Sequence, residues 1–292
     1  MAATDKPGAA IAADAAFCEG ARSLPVRGVH AGLAFEVQDW VAEEVPVALE
    51  YNGISHAVML ATPLDLEDFA LGFSLSEGLL DDAHELYSIE EEHGELGITL
   101  RLQVASAAFA RLKERRRTLT GRTGCGLCGT ESLDHVSRAL PALVPRGAPL
   151  QRGAIARAMG QFRDLQTLQQ ATGAVHAAAW CSADGEVGWL REDVGRHNAL
   201  DKLIGALARN HVDAPAGFIA VTSRASFEMV QKTAMAGVSL LAAVSAPTSF
   251  AVATAQRARM TLVGFARQHD LVVYCHPERL ALDDPAEARH AH

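Results

Sequence analysis

No stretch of about 18 or more apolar residues runs uninterrupted by charge, so the chain offers no spanning helix. Its start, MAATDKPGAAIAADAAFCEG, lacks a basic segment followed by a compact apolar one. It does not read as a secretory signal, and a cytoplasmic location is expected. Positive charge is in deficit. The formal net charge of −9 argues against a non-specific nucleic-acid binder, which needs surplus Lys and Arg to neutralise phosphates. Cysteine is sparse: five residues, an odd number, of which only Cys125 and Cys128 are close in sequence. A secreted disulfide framework would be denser, so these read as reduced thiols. What is present is 292 residues, 49% hydrophobic and 21% charged, enough for one large globular domain or two modest ones.

The pattern divides the chain. Residues 1–22 and 283–292 lack usable periodicity and are expected as tails. Residues 23–120 read as a smaller α+β subdomain. VPVALEY ends in Asn52-Gly53, a hairpin-turn pair. A helix follows with Asp65 as its cap and Leu66, Phe69, Ala70 and Phe73 as its buried stripe, and GITLRLQV reads as a strand. Residues 121–149 form a loop and linker, with a short helix expected from Thr130 to Leu140. From 150 to 282 continuous apolar strands alternate with helices. A helix carrying Ile155, Met159 and Phe162 should end near Gly173, and AVHAAAW and EVGWLRE should pair across a two-residue turn at Asp184-Gly185. Helices follow on Leu200, Leu203, Ile204 and Leu207 and on Phe227, Val230 and Ala234, with GFIAVT, GVSLLAAVS, TLVGFA and LVVYC as strands. The fold class is α/β, a layered sheet covered on both faces.

Gly124-Cys125-Gly126-Leu127-Cys128-Gly129 carries the strongest chemical signal. Glycines around both cysteines let backbone and sulfur approach a partner closely. The basic run Arg111, Lys113, Arg115, Arg116, Arg117 and Arg122 leads into it, and positive surroundings favour the thiolate over the thiol. By itself such a run is equally a solvated helix face. A CxxC pair is also half of a structural zinc set, but no second CxxC or HxxxH follows, so Cys181, Cys275 or His176 would have to complete it. A thioredoxin-type pair belongs after the first strand of a βαβ unit, whereas this one lies between two segments.

A second signal is Arg191-Glu192-Asp193-Val194-Gly195-Arg196-His197-Asn198, six polar side chains in a strand-to-helix turn. It is either an anion-binding turn at the carboxyl end of a strand or a well-capped helix with surface ion pairs. Ser223-Arg224, Pro247-Thr248-Ser249 and Arg267-Gln268-His269-Asp270 follow three further strands, placing hydroxyls, arginines and helix starts along one sheet edge. His176, inside a strand, reads as a satisfied core residue.

The blocks NGISHAVMLATPLDLEDFALGFSLSEGLL, RTGCGLCG, HAAAWCSADGEVGWLREDVGRHNALDKLIG, TSRASFEMVQKTAMAGVSLLAAVSAPTSFAVATAQ and TLVGFARQHDLVVYCHPERL closely resemble the formate dehydrogenase accessory sulfurtransferase (FdhD) family. The resemblance covers residues 25 to 280. It implies a cytidine-deaminase-like α/β core, a homodimer, and a sulfur carrier that takes persulfide sulfur from a cysteine desulfurase. The recipient would be molybdenum bis(molybdopterin guanine dinucleotide), for use by the formate dehydrogenase catalytic subunit. By motif position Cys125 is the expected persulfide carrier and Cys128 an assisting cysteine. Phe265, Ala266, Arg267, Gln268, His269 and Asp270 occupy the place of the family's cofactor-contacting loop. The alternative is a non-catalytic cofactor chaperone with a structural zinc on the CxxC. A zinc deaminase needs a Glu two residues after its ligand His, and here Ala177 and Ala178 follow His176, so hydrolytic deamination is excluded.

Overall fold

A computed structural model describes residues 18–120, 140–146, 148–268 and 270–282, the side chains of 115–120 excepted. Cys125, Cys128, His269 and the helix expected after Thr130 lie outside the described residues.

The first half opens with a two-stranded antiparallel ribbon, β1 (Ala21–His30) and β2 (Leu33–Ala42). Next come β3 (Val45–Tyr51), β4 (Ile54–Ala61), β5 (Leu86–Gly94) and β6 (Gly97–Val104), a sheet ordered β4-β3-β6-β5. Asn52 and Gly53 both take positive φ, +45° and +81°, as a tight hairpin turn requires. Val47, Leu49, Tyr51, Ile98, Leu100 and Leu102 face helix α1 (Leu66–Ser76) and are buried with it. The expected stripe of α1 is buried, but so are Leu71, Gly72 and Ser76 away from it, because the helix lies between this sheet and a helix of the second half. Asp65 makes no capping bond. It sits in the left-handed region at φ +51°, and its carboxylate lies 3.4 Å from Arg191 instead. Helix α2 (Ser106–Thr120) follows β6.

The second half contains β7 (Leu150–Gln151), α3 (Arg152–Leu165), α4 (Thr167–Thr172), β8 (His176–Cys181), β9 (Val187–Asp193), α5 (Arg196–Arg209), β10 (Phe218–Val221) and α6 (Phe227–Met235). It continues through β11 (Leu240–Ala243), α7 (Ser249–Ala258), β12 (Thr261–Arg267), β13 (Asp270–Cys275) and β14 (Leu280–Ala281). Six strands form a mixed sheet, β13-β12-β11-β10-β8-β9, in which β10, β11 and β12 run parallel. Strand β8 opposes both β10 and β9, and β13 opposes β12. One face is covered by α5, α6 and α7 through Leu200, Leu203, Val230 and Ala255, the other by α3 through Ile155, Ala158 and Phe162. Every residue of β10 and β11 is buried, so their apolar runs need no polar alternation.

Two local expectations are corrected. The helix expected to reach Gly173 breaks at Gln166, because the Glu192 carboxylate from β9 accepts the Leu168 and Gln169 N–H groups at 2.9 Å each and starts a new helix there. The β8–β9 turn spans three residues rather than two. Ser182 and Glu186 close it at 2.9 Å, with Gly185 at φ +86°. The stretch read as a linker lies against the second half: Leu143 is buried, and its N–H donates to Ala258 C=O at 3.0 Å.

The seam between the halves is α1 against α5. A Cβ at Gly72 would stand 1.7 Å from the Asp201 carbonyl oxygen, and one at Gly205 would stand 1.9 Å from that of Asp68. Backbone meets backbone there, and only glycine permits it. Asp68, buried beside this crossing, accepts from Arg191 at 2.7 Å and Arg209 at 2.9 Å. Among the described residues no helix is long and apolar enough to cross a membrane.

Candidate functional site

Strand directions gather the chemistry on one edge. The carboxyl ends of β9, β10, β11 and β12 lie together, and because β8 opposes its neighbours its first residue, His176, lies there too, paired with Asp193. Helices α5, α6 and α7 all start from this edge. The α7 start is capped by Thr248, whose hydroxyl accepts the Ala251 N–H at 3.2 Å. Gly195 and Ser226, at the starts of α5 and α6, supply no side-chain cap, which leaves first-turn N–H groups on two helices available to an anion.

The charged run on β9 and α5 divides between scaffold and edge. Arg191 belongs to Asp68, and Glu192 starts α4. Asp193 is wholly buried: its Oδ1 accepts from Gly195 N–H at 2.7 Å and Asn198 Nδ2 at 3.0 Å, and its Oδ2 accepts from Thr62 N–H at 3.0 Å and faces Lys202 Nζ at 2.6 Å. Asn198 also donates to Leu60 C=O at 2.7 Å. These bonds fix the Gly195 turn and tie it to the end of β4. Arg196 and His197 stand outside this network. The Arg196 Nε is buried and has no hydrogen-bond partner among the described residues. His197 Nε2 lies 2.6 Å from Glu228 on α6 and 3.5 Å from Ser226 Oγ. His176 is no buried core residue. It is half-exposed at the edge, its pKa lowered first by desolvation and then by the nearby Arg196 and His197 charges.

The six loop residues occupy the β12–β13 turn on the same edge. A register shift between Gly264 and Arg267 places one extra residue on β12. Phe265 takes φ +53° there, and its ring stays exposed while Ala266 is buried. Arg267 donates through Nε to Val244 C=O at 3.0 Å, tying the turn to the end of β11, and pairs in register with Asp270. Gln268 turns the chain at φ +49°. His269 lies outside the described residues.

Cys125 and Cys128 also lie outside them. The other three cysteines are poor nucleophiles. Burial raises the Cys181 thiol to about 12, and raises Cys275 as well. Cys18 is raised first by burial and then by the Glu192 charge. Cys181 ends β8 at the far side of the sheet from His176, so these two do not meet. Arg111 of the basic run is engaged, 2.6 Å from Glu85 and 3.2 Å from Asp81. A cleft of about 650 Å³ opens on the outer flank of β9, lined in part by Cys18, Asp65, Leu168, Arg191 and Glu192. Its Arg191 and Glu192 are committed to the scaffold, and burial raises the Glu192 carboxyl as it does the Cys18 thiol. The strand-end edge, with an unpartnered guanidinium nitrogen, is the better candidate for a binding site.

A model of the FdhD/NarQ family matches residues 42–281. The chain belongs to the FdhD/NarQ family. A protein of Variovorax paradoxus (strain S110), named sulfur carrier protein FdhD, is 68% identical over 260 residues, covering 89% of this chain and 93% of that one. One of the same name from Cupriavidus necator is 62% identical over 242 residues, covering 83% and 84%. A crystal structure of a Desulfotalea psychrophila protein described as a formate dehydrogenase accessory protein superposes with a TM-score of 0.70 at 23% identity, covering 89% of this chain and 99% of that one. That likeness shows a shared mixed α/β fold. In this FdhD/NarQ chain the sequence pattern did not reveal the buried lysines. Lys202 pairs with Asp193, and Lys232 sits 3.0 Å from Asp201 and 2.6 Å from Glu77. A Lys at a core-facing helical position was the one available signal.

Proposed function

We propose that the protein is a sulfur carrier serving formate dehydrogenase, with Cys125 as the carrying residue. The reading that fits is transfer from a cysteine desulfurase to molybdenum bis(molybdopterin guanine dinucleotide), held as substrate along the strand-end edge. The Cys125 thiolate attacks the outer sulfur of the desulfurase persulfide. A new S–S bond forms to Cys125, the desulfurase S–S bond breaks, its cysteine leaves as thiolate, and the terminal proton stays on the transferred sulfur. The substrate's phosphates would meet the open amides of α5 and α6 with Arg196 and Arg267, and Phe265 offers an exposed ring for a flat heterocycle. A mixed sheet with helices on both faces and a strand-end site supports a cytidine-deaminase-like core. The protein is further read as a homodimer.

The observation that carries the proposal is 68% identity, over 89% of the chain, to a protein named as a sulfur carrier, joined to an edge built for an anion. The three described cysteines support it from the other side, since burial disfavours the thiolate in each. The test is incubation with a desulfurase and cysteine, followed by peptide mass spectrometry. One added sulfur on the Cys125 peptide is expected. Equal total labelling of the Cys125→Ala protein would overturn the assignment.

A further inference from the structure

Helices α5 and α6 both start at the strand-end edge, and a row of polar side chains on each faces the other. His197 and Asp201 are one helical turn apart on α5, and Glu228 and Lys232 one turn apart on α6, so each pair shares a face of its helix. The two faces meet in register. His197 Nε2 lies 2.6 Å from Glu228, and Lys232 Nζ donates to both Asp201 carboxylate oxygens at 3.0 Å. The result is a ladder of two rungs, its carboxylate on α6 in the outer rung and on α5 in the inner one.

The rungs differ in their surroundings. In the outer one the His197 and Glu228 side chains are 27% and 31% exposed; in the inner one Lys232 and Asp201 are 7% and 1% exposed. The inner rung is also tied to the first half of the chain. Lys232 Nζ lies 2.6 Å from Glu77, at the end of α1, and donates to Ser76 Oγ at 3.0 Å, while Ser76 donates to Asp201 at 2.6 Å.

A partly exposed ion pair contributes little of its own. Met229, Val230 and Ala234 press α6 into the core, but apolar packing is non-directional and leaves the axial position of a helix loosely set. Buried charges with several partners fix that position, because a slide along the axis strands one of them. We infer that Lys232 is a positioning residue for the strand-end edge. Through Asp201 and Glu77 it holds α6 in register with α5, and so sets the contact of Glu228 with His197 where the two helices begin. Lys232 itself touches no ligand. The inference rests on the binding edge proposed above for its consequence, whereas the contact that Lys232 sets is present without ligand and is read separately.

The experiment removes the inner rung as a pair, in Lys232→Met/Asp201→Asn, so that no fully buried charge is stranded. The first readout is the nitrogen chemical shift of His197 Nε2 in the ligand-free protein. It should leave the wild-type value and approach that of Glu228→Gln, which breaks the outer rung directly. Phe162→Ala, which opens the core on the opposite face of the sheet, should leave it unchanged. The second readout is calorimetry with GDP, whose affinity should fall about fivefold or more in the double variant and hold in Phe162→Ala. An unmoved His197 signal in the double variant overturns the inference. So does an equal movement in Phe162→Ala, which marks general loosening, and so does a moved signal with undiminished GDP binding. Should the double variant not fold, Glu77→Gln weakens the same clasp from its exposed side: a smaller shift in the same direction supports the inference, and none overturns it. A wild type that does not bind GDP counts against the proposed edge alone, and the His197 signal then decides the positioning role.

Discussion

Asp193 and Lys202 face each other at 2.6 Å with no solvent-accessible area on either side chain. The aspartate ends the edge strand β9, and the lysine lies on α5 about two turns in. Between them sits the Gly195 turn that presents Arg196 and His197. Burial lowers the Lys202 pKa, with the Asp193 charge opposing that shift. Breaking a buried pair by removing one member strands the other, a cost of about 3–5 kcal/mol. Lys202→Met should lower the unfolding free energy by that order in urea titration. Asp193→Asn should cost a similar amount, because it strands Lys202 and turns an amide NH2 toward donors that the carboxylate accepted.

The α1–α5 crossing makes a steric prediction. At Gly205 a methyl group would meet a backbone carbonyl, which cannot rotate away as a flexible side chain could. Overpacking typically costs about 1–3 kcal/mol, and Gly205→Ala should fall at or above the upper end. Gly160, whose added Cβ meets nothing within 4 Å, is the control. Gly160→Ala on α3 should leave the thermal midpoint unchanged or slightly raised.

His176 gives the edge a pH dependence. Its folded pKa lies below the ordinary histidine value of 6.5, first through burial and then through Arg196 and His197. In the window beneath 6.5 the unfolded chain therefore takes up a proton that the folded chain resists. Stability is fully present above 6.5 and is lost as pH falls through the folded value. Proton NMR of the His176 ring should report a midpoint below 6.5. Arg196→Ala should raise that midpoint only part of the way, since burial is the larger cause.

Cysteine reactivity should separate cleanly. With its thiol at about 12, Cys181 is ionised in roughly one molecule in 10⁴ to 10⁵ near neutral pH. Iodoacetamide on the native protein should modify Cys125 and Cys128 well ahead of Cys181 and Cys275, and all should react in denaturant. Peptide mapping reads the order. Rapid native labelling of Cys181 would contradict its burial.

For the binding edge, GDP serves as a fragment of the proposed substrate. Arg196→Ala should weaken GDP binding in calorimetry by about tenfold, the loss of one charge-assisted hydrogen bond. Arg257→Ala makes the comparison: its guanidinium sits 5.9 Å over the Phe250 ring within α7, and affinity should hold.

Periodicity located the strands and helices of the layered sheet because each is apolar in a regular pattern. FIAV and LLAA admit no other reading at their length, and Asn52-Gly53 dictated its turn. Asp65 misled because a capping residue type sat at the right position, while Arg191, 126 residues later, drew its carboxylate away. Glu192 is the same lesson reversed: a helix start supplied from a neighbouring strand leaves no local mark on Thr167-Leu168. The edge itself was legible, since strand ends rich in arginine and hydroxyls repeat along it. The division of the charged run was not legible, because burial of Asp193 and Asn198 depends on β4 standing behind them.

Thr62 stands at the root of that arrangement. Its N–H goes to Asp193, 131 positions away, its carbonyl receives Lys202 at 2.9 Å, and its hydroxyl receives the Val194 N–H at 3.2 Å. The strand-end edge is thus fastened by the end of a strand made long before the edge is synthesised. A chain only part-way through folding has not formed this edge, so the proposed binding there would certify that both halves have closed around each other.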